Sequence, residues 1–182
     1  TSLAAFEWPQ EGVTENSFST QFGQLRGGNY SNALIYAEPA EISAIEDGSV
    51  IAILGGNSNE MGWFHSPLGN AVLLSHDDSI LSVYGNLSQF AINSTTSKVN
   101  KGTKLGTSGY SGWQTGQNSL ELQIIDTEQE SAINPRILMP RFQEEPALSL
   151  YGITIIGRNG ETFELRARRS VAAGTYKLYR GR

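Results

Sequence analysis

The chain has 182 residues, 38% apolar and 17% charged, which excludes a disordered segment and suits one ordinary domain with a small appendage. Cysteine is absent, so disulfides and thiol chemistry are excluded, and no run approaches the ~20 apolar residues of a membrane span. The net charge of −5 is uneven: Arg158, Arg166, Arg168, Arg169, Lys177, Arg180 and Arg182 dominate the end of the chain against Glu161 and Glu164. That basic tail either forms an anion-binding surface or neutralises an acidic body.

Twenty glycines, frequent β-branched residues and recurring turn dipeptides favour an all-β protein. A start at Thr1, without Met or a visible signal peptide, is expected of a processed or trimmed chain. Phe6-Glu-Trp-Pro9 opens the domain in extended form, because the residue before proline avoids the helical region. Residues 21–26 read as a strand end running into a Gly27-Gly28 turn, and residues 32–36 as a second short strand. Residues 41–54 read as a hairpin about an Asp47-Gly48 turn, where glycine would supply positive φ. Residues 55–69 form a long loop with Trp63 and Phe64 beside His65. The two rings either bind a partner or fold back over the end of the barrel.

Residues 70–76 and 80–86 read as a strand and its return about an Asp77-Asp78 turn. Residues 98–106 hold two turn glycines, Gly102 and Gly106, one short strand apart. Residues 134–140 close a domain spanning 6–140, and 141–147 read as a linker. In the basic segment 148–182, residues 151–157 and 162–167 should pair about an Asn159-Gly160 type I′ turn, with 174–179 as one more strand. These last ~35 residues are too few for an independent core, so they either dock on the first domain or begin an immunoglobulin-like β-sandwich.

The organising stretch is residues 106–124, a glycine-rich half leading into an alternating strand. Period two puts Leu120, Leu122 and Ile124 on one face and Ser119, Glu121 and Gln123 on the other. The apolar face should enter a core. The polar face should look into a groove floored by antiparallel sheet.

Several short segments follow one another in a telling order: Trp8-Pro9, Phe22-Gly23, Glu46-Asp-Gly-Ser-Val50, Gly69-Asn-Ala-Val72, Ser75-His76, Tyr84-Gly-Asn-Leu-Ser88, Val99-Asn-Lys-Gly102, Leu105-Gly-Thr-Ser-Gly109 and Leu120-Glu-Leu-Gln-Ile124. Over roughly residues 6–140 this set resembles zinc peptidases of the lysostaphin/LytM type, M23-like proteins with a duplicated hybrid motif that cut peptide cross-links in bacterial cell walls. The resemblance implies antiparallel sheets folded into a LytM-type groove, a barrel-sandwich hybrid. It also makes the loop of residues 55–69 an insertion.

Active members of that family hold zinc with an H-x3-D motif and the second His of H-x-H, and use two further His residues in catalysis. Aligned without gaps, the resemblance puts the first motif on Asn29 and Ala33, the second on Ser119 and Glu121, and the remaining His on Asn86. None of these is His, and Ala33 has no donor atom. Only Glu121 is a good metal ligand, and one carboxylate does not make a zinc site. No imidazole remains there as a general base. The expectation is a pseudoenzyme with no catalytic residue, functional metal or cofactor. Of the two histidines, His76 is expected to be a hydrogen-bonded turn residue, and His65 lies in the inserted loop.

Without a metal, a groove remains. Tyr30, Tyr84 and Trp113 are expected to line it, with Trp63 and Phe64 from the loop, and uncharged polar groups beside aromatics suit peptide or protein recognition. The resemblance to EnvC-type activators of cell-wall amidases implies a regulatory module, periplasmic or otherwise extracytoplasmic, that engages a cell-wall hydrolase such as an amidase. A peptidoglycan-peptide-binding module is the first alternative, and a residual zinc endopeptidase the second. Phosphate carriage on His would need paired groove histidines, and nucleic-acid binding lacks aromatic–basic interleaving.

Overall fold

The computed structural model describes residues 6–26, 28–55, 67–77, 79–112, 118–142, 153–157, 162–165 and 176–180. The chain divides into two units, Thr1–Phe142 and Gln143–Arg182. The expected all-β, antiparallel class holds: apart from two single-turn 3-10 segments, Glu15–Ser17 and Pro135–Ile137, every regular element among the described residues is a strand.

In the first unit the strands are β1 (Phe18–Thr20), β2 (Leu25–Arg26), β3 (Asn29–Tyr30), β4 (Leu34–Tyr36), β5 (Glu41–Ser43), β6 (Gly48–Leu54), β7 (Asn70–Ser75), β8 (Ile80–Phe90), β9 (Lys98–Val99), β10 (Lys104–Ser108), β11 (Glu121–Asp126) and β12 (Ser131–Ile133). Among the described residues, ten of them form one sheet in the order β1-β4-β11-β8-β7-β6-β9, with β10 joining β8 to β5 and β12 on β11. β2 and β3 form a separate hairpin. The spine is β8, which pairs with β7 and β11 along its first part and with β10 at its far end.

The alternation in β11 works as expected. Leu120, Leu122 and Ile124 are fully buried and join Leu34, Tyr36, Val72, Leu74 and Leu87 in one core. Each such side chain removed from water contributes about 1.5–3 kcal/mol, and that apolar face fixes the register. At the edge of this core Trp8 stacks on Phe142 with centroids 5.1 Å apart, and Arg136 lies over Phe142 at 4.5 Å. This aromatic cluster ties the start of the unit to its end.

Two expectations fail here. Asp47-Gly48 does not turn a hairpin: β5 pairs with β10, and β6 with β7 and β9. Gly48 is not among the glycines with positive φ. It is needed for close approach, since a Cβ there would lie 2.9 Å from both His76 Nδ1 and the Ser75 carbonyl oxygen. Nor is Gly106 a turn residue. It lies inside β10, where a Cβ would sit 2.2 Å from the Gln89 carbonyl oxygen of β8. In both places glycine answers to a neighbouring strand rather than to its own backbone angle.

The second unit contains β13 (Ile153–Gly157), β14 (Thr162–Leu165) and β15 (Tyr176–Arg180), in the order β14-β13-β15. The β13–β14 pairing runs from Ile153↔Leu165 to Ile156↔Thr162, as expected from sequence. The Asn159-Gly160 turn, most of the linker and the basic residues Arg158, Arg166, Arg168, Arg169 and Arg182 lie outside the described residues.

Candidate functional site

Three neighbouring strands carry the site. Glu121 of β11 stands opposite Ile35 of β4 and Gly85 of β8, while Leu122 stands opposite Leu34 and Tyr84. Directly opposed residues share a face. Glu121 therefore lies on the face of Ile35 and Gly85, and Tyr84 lies on the core face with Leu122. That corrects the expectation that Tyr84 lines a groove. It is fully buried, and its hydroxyl oxygen accepts the Ile45 N–H at 3.0 Å.

Tyr84 ends a buried polar chain. Its Oη lies 3.2 Å from Ser82 Oγ, which lies 2.7 Å from His76 Nε2. His76 Nδ1 lies 2.7 Å from the Asp47 carbonyl oxygen, and because a carbonyl only accepts, Nδ1 carries the proton. Burial pushes the Tyr84 phenol up to about 12, against the opposing pull of its bonds to Ile45 and Ser82. Burial likewise raises the neighbouring Tyr36 well above the usual phenol range, with Tyr84 adding to the rise and Arg136 opposing it. A serine beside a histidine is the geometry of a nucleophile and its base, but Ser82 is fully buried with Tyr84 against it. The pair holds β7, β8 and the Asp47 crossing together, in keeping with His76 as a hydrogen-bonded turn residue.

Beyond Tyr84 the strand bulges. Three steps along β8, from Tyr84 to Leu87, match two along β7, from Val72 to Asn70. The extra step falls at Gly85 and Asn86, and Asn86 has φ +65°, a left-handed conformation that Asn accepts more readily than most residues. Tyr84 and Leu87 thus both reach the core, and Asn86 between them reaches across the site. Asn86 Nδ2 donates to the Gly109 carbonyl oxygen at 2.5 Å, and to the Ser119 carbonyl and Oγ at 2.9 and 3.0 Å. Its Oδ1 accepts the Gly112 N–H at 2.8 Å, and its own N–H donates to the Leu68 carbonyl at 2.6 Å. One side chain thereby joins β8 to the end of β10, the start of β11 and the 109–112 turn.

The expected site residues divide accordingly. Ala33, Asn86, Ser119 and Glu121 are all buried, on or beside the β4–β11–β8 triplet. Asn29 is exposed on the β2–β3 hairpin, in a different sheet. The polar face of β11 is therefore not the open groove floor expected from alternation. Leu68 covers Gly85, where a Cβ would lie 3.3 Å from Leu68 atoms, and Glu121 Oε1 accepts from Gln123 Nε2 at 2.8 Å. Tyr30 is 72% exposed on its hairpin, and its cross-strand neighbour Leu25 is also exposed. Trp63, Phe64, His65 and Trp113 lie outside the described residues. Sequence reasoning passed over Tyr110, an exposed ring on the 109–112 turn. The available signal was a lone aromatic between Gly109 and Ser111 in an uncharged stretch.

Residues 34–135 match the family model described as Peptidase family M23. The chain belongs to peptidase family M23. This M23 chain is 28% identical over 140 residues to the murein hydrolase activator NlpD of Salmonella dublin and of Salmonella typhimurium, covering 76% of this chain and 32% of each relative. The chain thus spans about a third of the length of those relatives. Among solved structures it resembles the SpoIIQ–SpoIIIAH pore-forming complex (TM-score 0.57, 21% identity, 81% of this chain and 100% of that one). It also resembles Helicobacter pylori Csd3 (0.56, 22%, 76% and 34%). A third likeness is to the catalytic domain of a mutant of the prophage-encoded M23 protein EnpA from Enterococcus faecalis (0.54, 22%, 69% and 93%). At these identities the likeness shows the fold.

The M23 fold implies a catalytic zinc, and the residues at the positions inferred for its ligands do not fit one. Ala33 offers no donor atom. Asn29 stands apart on the β2–β3 hairpin, and Glu121 supplies a single carboxylate, whose Oε1 already accepts from Gln123 Nε2. Among the described residues no three His, Cys, Asp or Glu side chains cluster.

Proposed function

We propose that this M23 domain is non-catalytic and regulates cell-wall remodelling at the bacterial envelope by engaging a murein hydrolase, such as an amidase, outside the cytoplasm. The observation that carries this reading is Asn86. At a position inferred for a catalytic histidine stands a fully buried amide that closes the site with hydrogen bonds. A second support is the similarity to NlpD, whose name describes an activator of murein hydrolases.

Loss of the metal does not endanger such a fold. The strands that carry or adjoin Ala33, Asn86, Ser119 and Glu121 are held by a continuous apolar core, unlike a zinc finger, whose folding energy comes from the ion. What remains is a rigid scaffold with exposed groups for recognition, Tyr30 among them.

The test is release of dye from labelled murein sacculi. The purified chain alone should release none, and its addition should raise release by a purified cell-wall amidase. Release by the chain alone would restore the peptidase reading. Sedimentation of the chain with sacculi, without any effect on the amidase, would favour a wall-peptide-binding module instead.

A further inference from the structure

We propose that Tyr110 is the anchor through which this domain grips a partner protein, its ring entering an uncharged recess on that protein. This rests on the reading that the domain works by binding a murein hydrolase, and it names the contact. Tyr110 is 71% exposed, and among the described residues no ring stacking or hydrogen bond engages its side chain.

The turn that carries Tyr110 is held from several directions. The Gly109 carbonyl accepts from Asn86 Nδ2 at 2.5 Å and from the Ser119 N–H at 2.9 Å. On the other side of Tyr110, Ser111 Oγ donates to the Leu87 carbonyl at 2.6 Å and accepts the Asn70 N–H at 2.9 Å, while the Gly112 N–H donates to Asn86 Oδ1 at 2.8 Å. Gly69, at φ +63°, lets backbone lie on backbone, since a Cβ there would sit 2.3 Å from the Gly112 nitrogen. An aromatic residue in water on so fixed a turn loses little further freedom when it is buried, which is the property of an interface anchor.

The surroundings select the kind of partner. Among the described residues that hold the turn, Leu68, Gly69, Asn70, Asn86, Leu87 and Ser119, none is charged. The side chains that clamp the turn, at Asn86, Ser111 and Ser119, are engaged with the protein itself. Beyond the Tyr110 hydroxyl these engaged side chains offer little to a glycan's hydroxyls, and a charged polymer would require opposite charge. A protein recess that buries a tyrosine ring requires neither further polar groups nor charge on this turn.

The experiment measures binding of the purified chain to purified cell-wall amidases of its own bacterium and, separately, to murein sacculi. The variants are Tyr110→Ala, Tyr110→Phe and, as an exposed apolar control, Ile137→Ala. Thermal unfolding is recorded for each. Tyr110→Ala should weaken amidase binding by about tenfold or more at an unchanged melting temperature, while Tyr110→Phe and Ile137→Ala stay within about twofold of the parent. Parent-level amidase binding by Tyr110→Ala would overturn the anchor and leave the regulatory reading standing. Absence of amidase binding by the parent chain would overturn both. Sacculus binding that Tyr110→Ala abolishes, with no amidase binding, would overturn the protein partner in favour of a wall ligand.

Discussion

Ser119 and Glu121 on one face of β11 are almost as deeply buried as Leu120, Leu122 and Ile124 on the other, yet the two faces are kept dry by different means. The apolar face packs against Leu34, Tyr84 and Leu87 and gains by leaving water. The polar face is covered by neighbouring chain segments and must satisfy each buried group with a hydrogen bond. Asn86 does this for Ser119, Gly109 and Gly112, and Gln123 does it for Glu121. On the proposed non-catalytic reading, this polar face serves as structure rather than as an open site. The comparison predicts that damage to the core face should cost packing, whereas damage to the site face should cost unsatisfied polar groups.

The largest effect is expected on the core face. Leu122→Ala leaves a cavity between β4 and β8 and should cost about 2–5 kcal/mol in urea unfolding. On the site face, Asn86→Ala removes the clamp and places alanine at φ +65°, and should cost about 2–3 kcal/mol by the same measurement. A loss below about 0.5 kcal/mol would mean that the clamp is incidental.

Tyr84 sharpens the comparison through pH. Its phenol lies at about 12 in the folded chain against an ordinary 10.0, so the folded state holds that proton more tightly than the unfolded state does. The resulting stability is complete below pH ~10 and should fall by about 2–3 kcal/mol as pH rises towards ~12. Tyr84→Phe should flatten part of that alkaline slope, and the buried Tyr36 phenol, also raised, acts in the same direction. The smallest effect belongs to the hairpin. Tyr30→Ser should change stability by no more than about 0.5 kcal/mol, because the ring is exposed.

Local pattern made part of this legible in advance. The alternation of 119–124 gave the two faces of β11, and the apolar runs flanking Asp77-Asp78 and Asn159-Gly160 gave the β7–β8 and β13–β14 pairs. Features set by distant strands escaped it. Asp47-Gly48 looks like a hairpin until β10 and β7 take the edges of β5 and β6. Tyr84 looks like a groove residue until its register with Leu122 assigns it to the core. The bulge that aims Asn86 at Gly109 and Ser119 depends on pairing with β7 and β10, and nothing in Tyr84-Gly-Asn86 alone specifies it. The positions inferred for the relic site were legible as residue types; that four of the five are buried was not.

Metal content of the purified chain, read after equilibration with zinc and gel filtration, tests the central claim most directly. A site closed by Asn86 and lacking a donor at Ala33 should retain far less than one zinc per chain, with an unchanged melting temperature. One tightly held zinc per chain, lost on Glu121→Ala, would contradict the account.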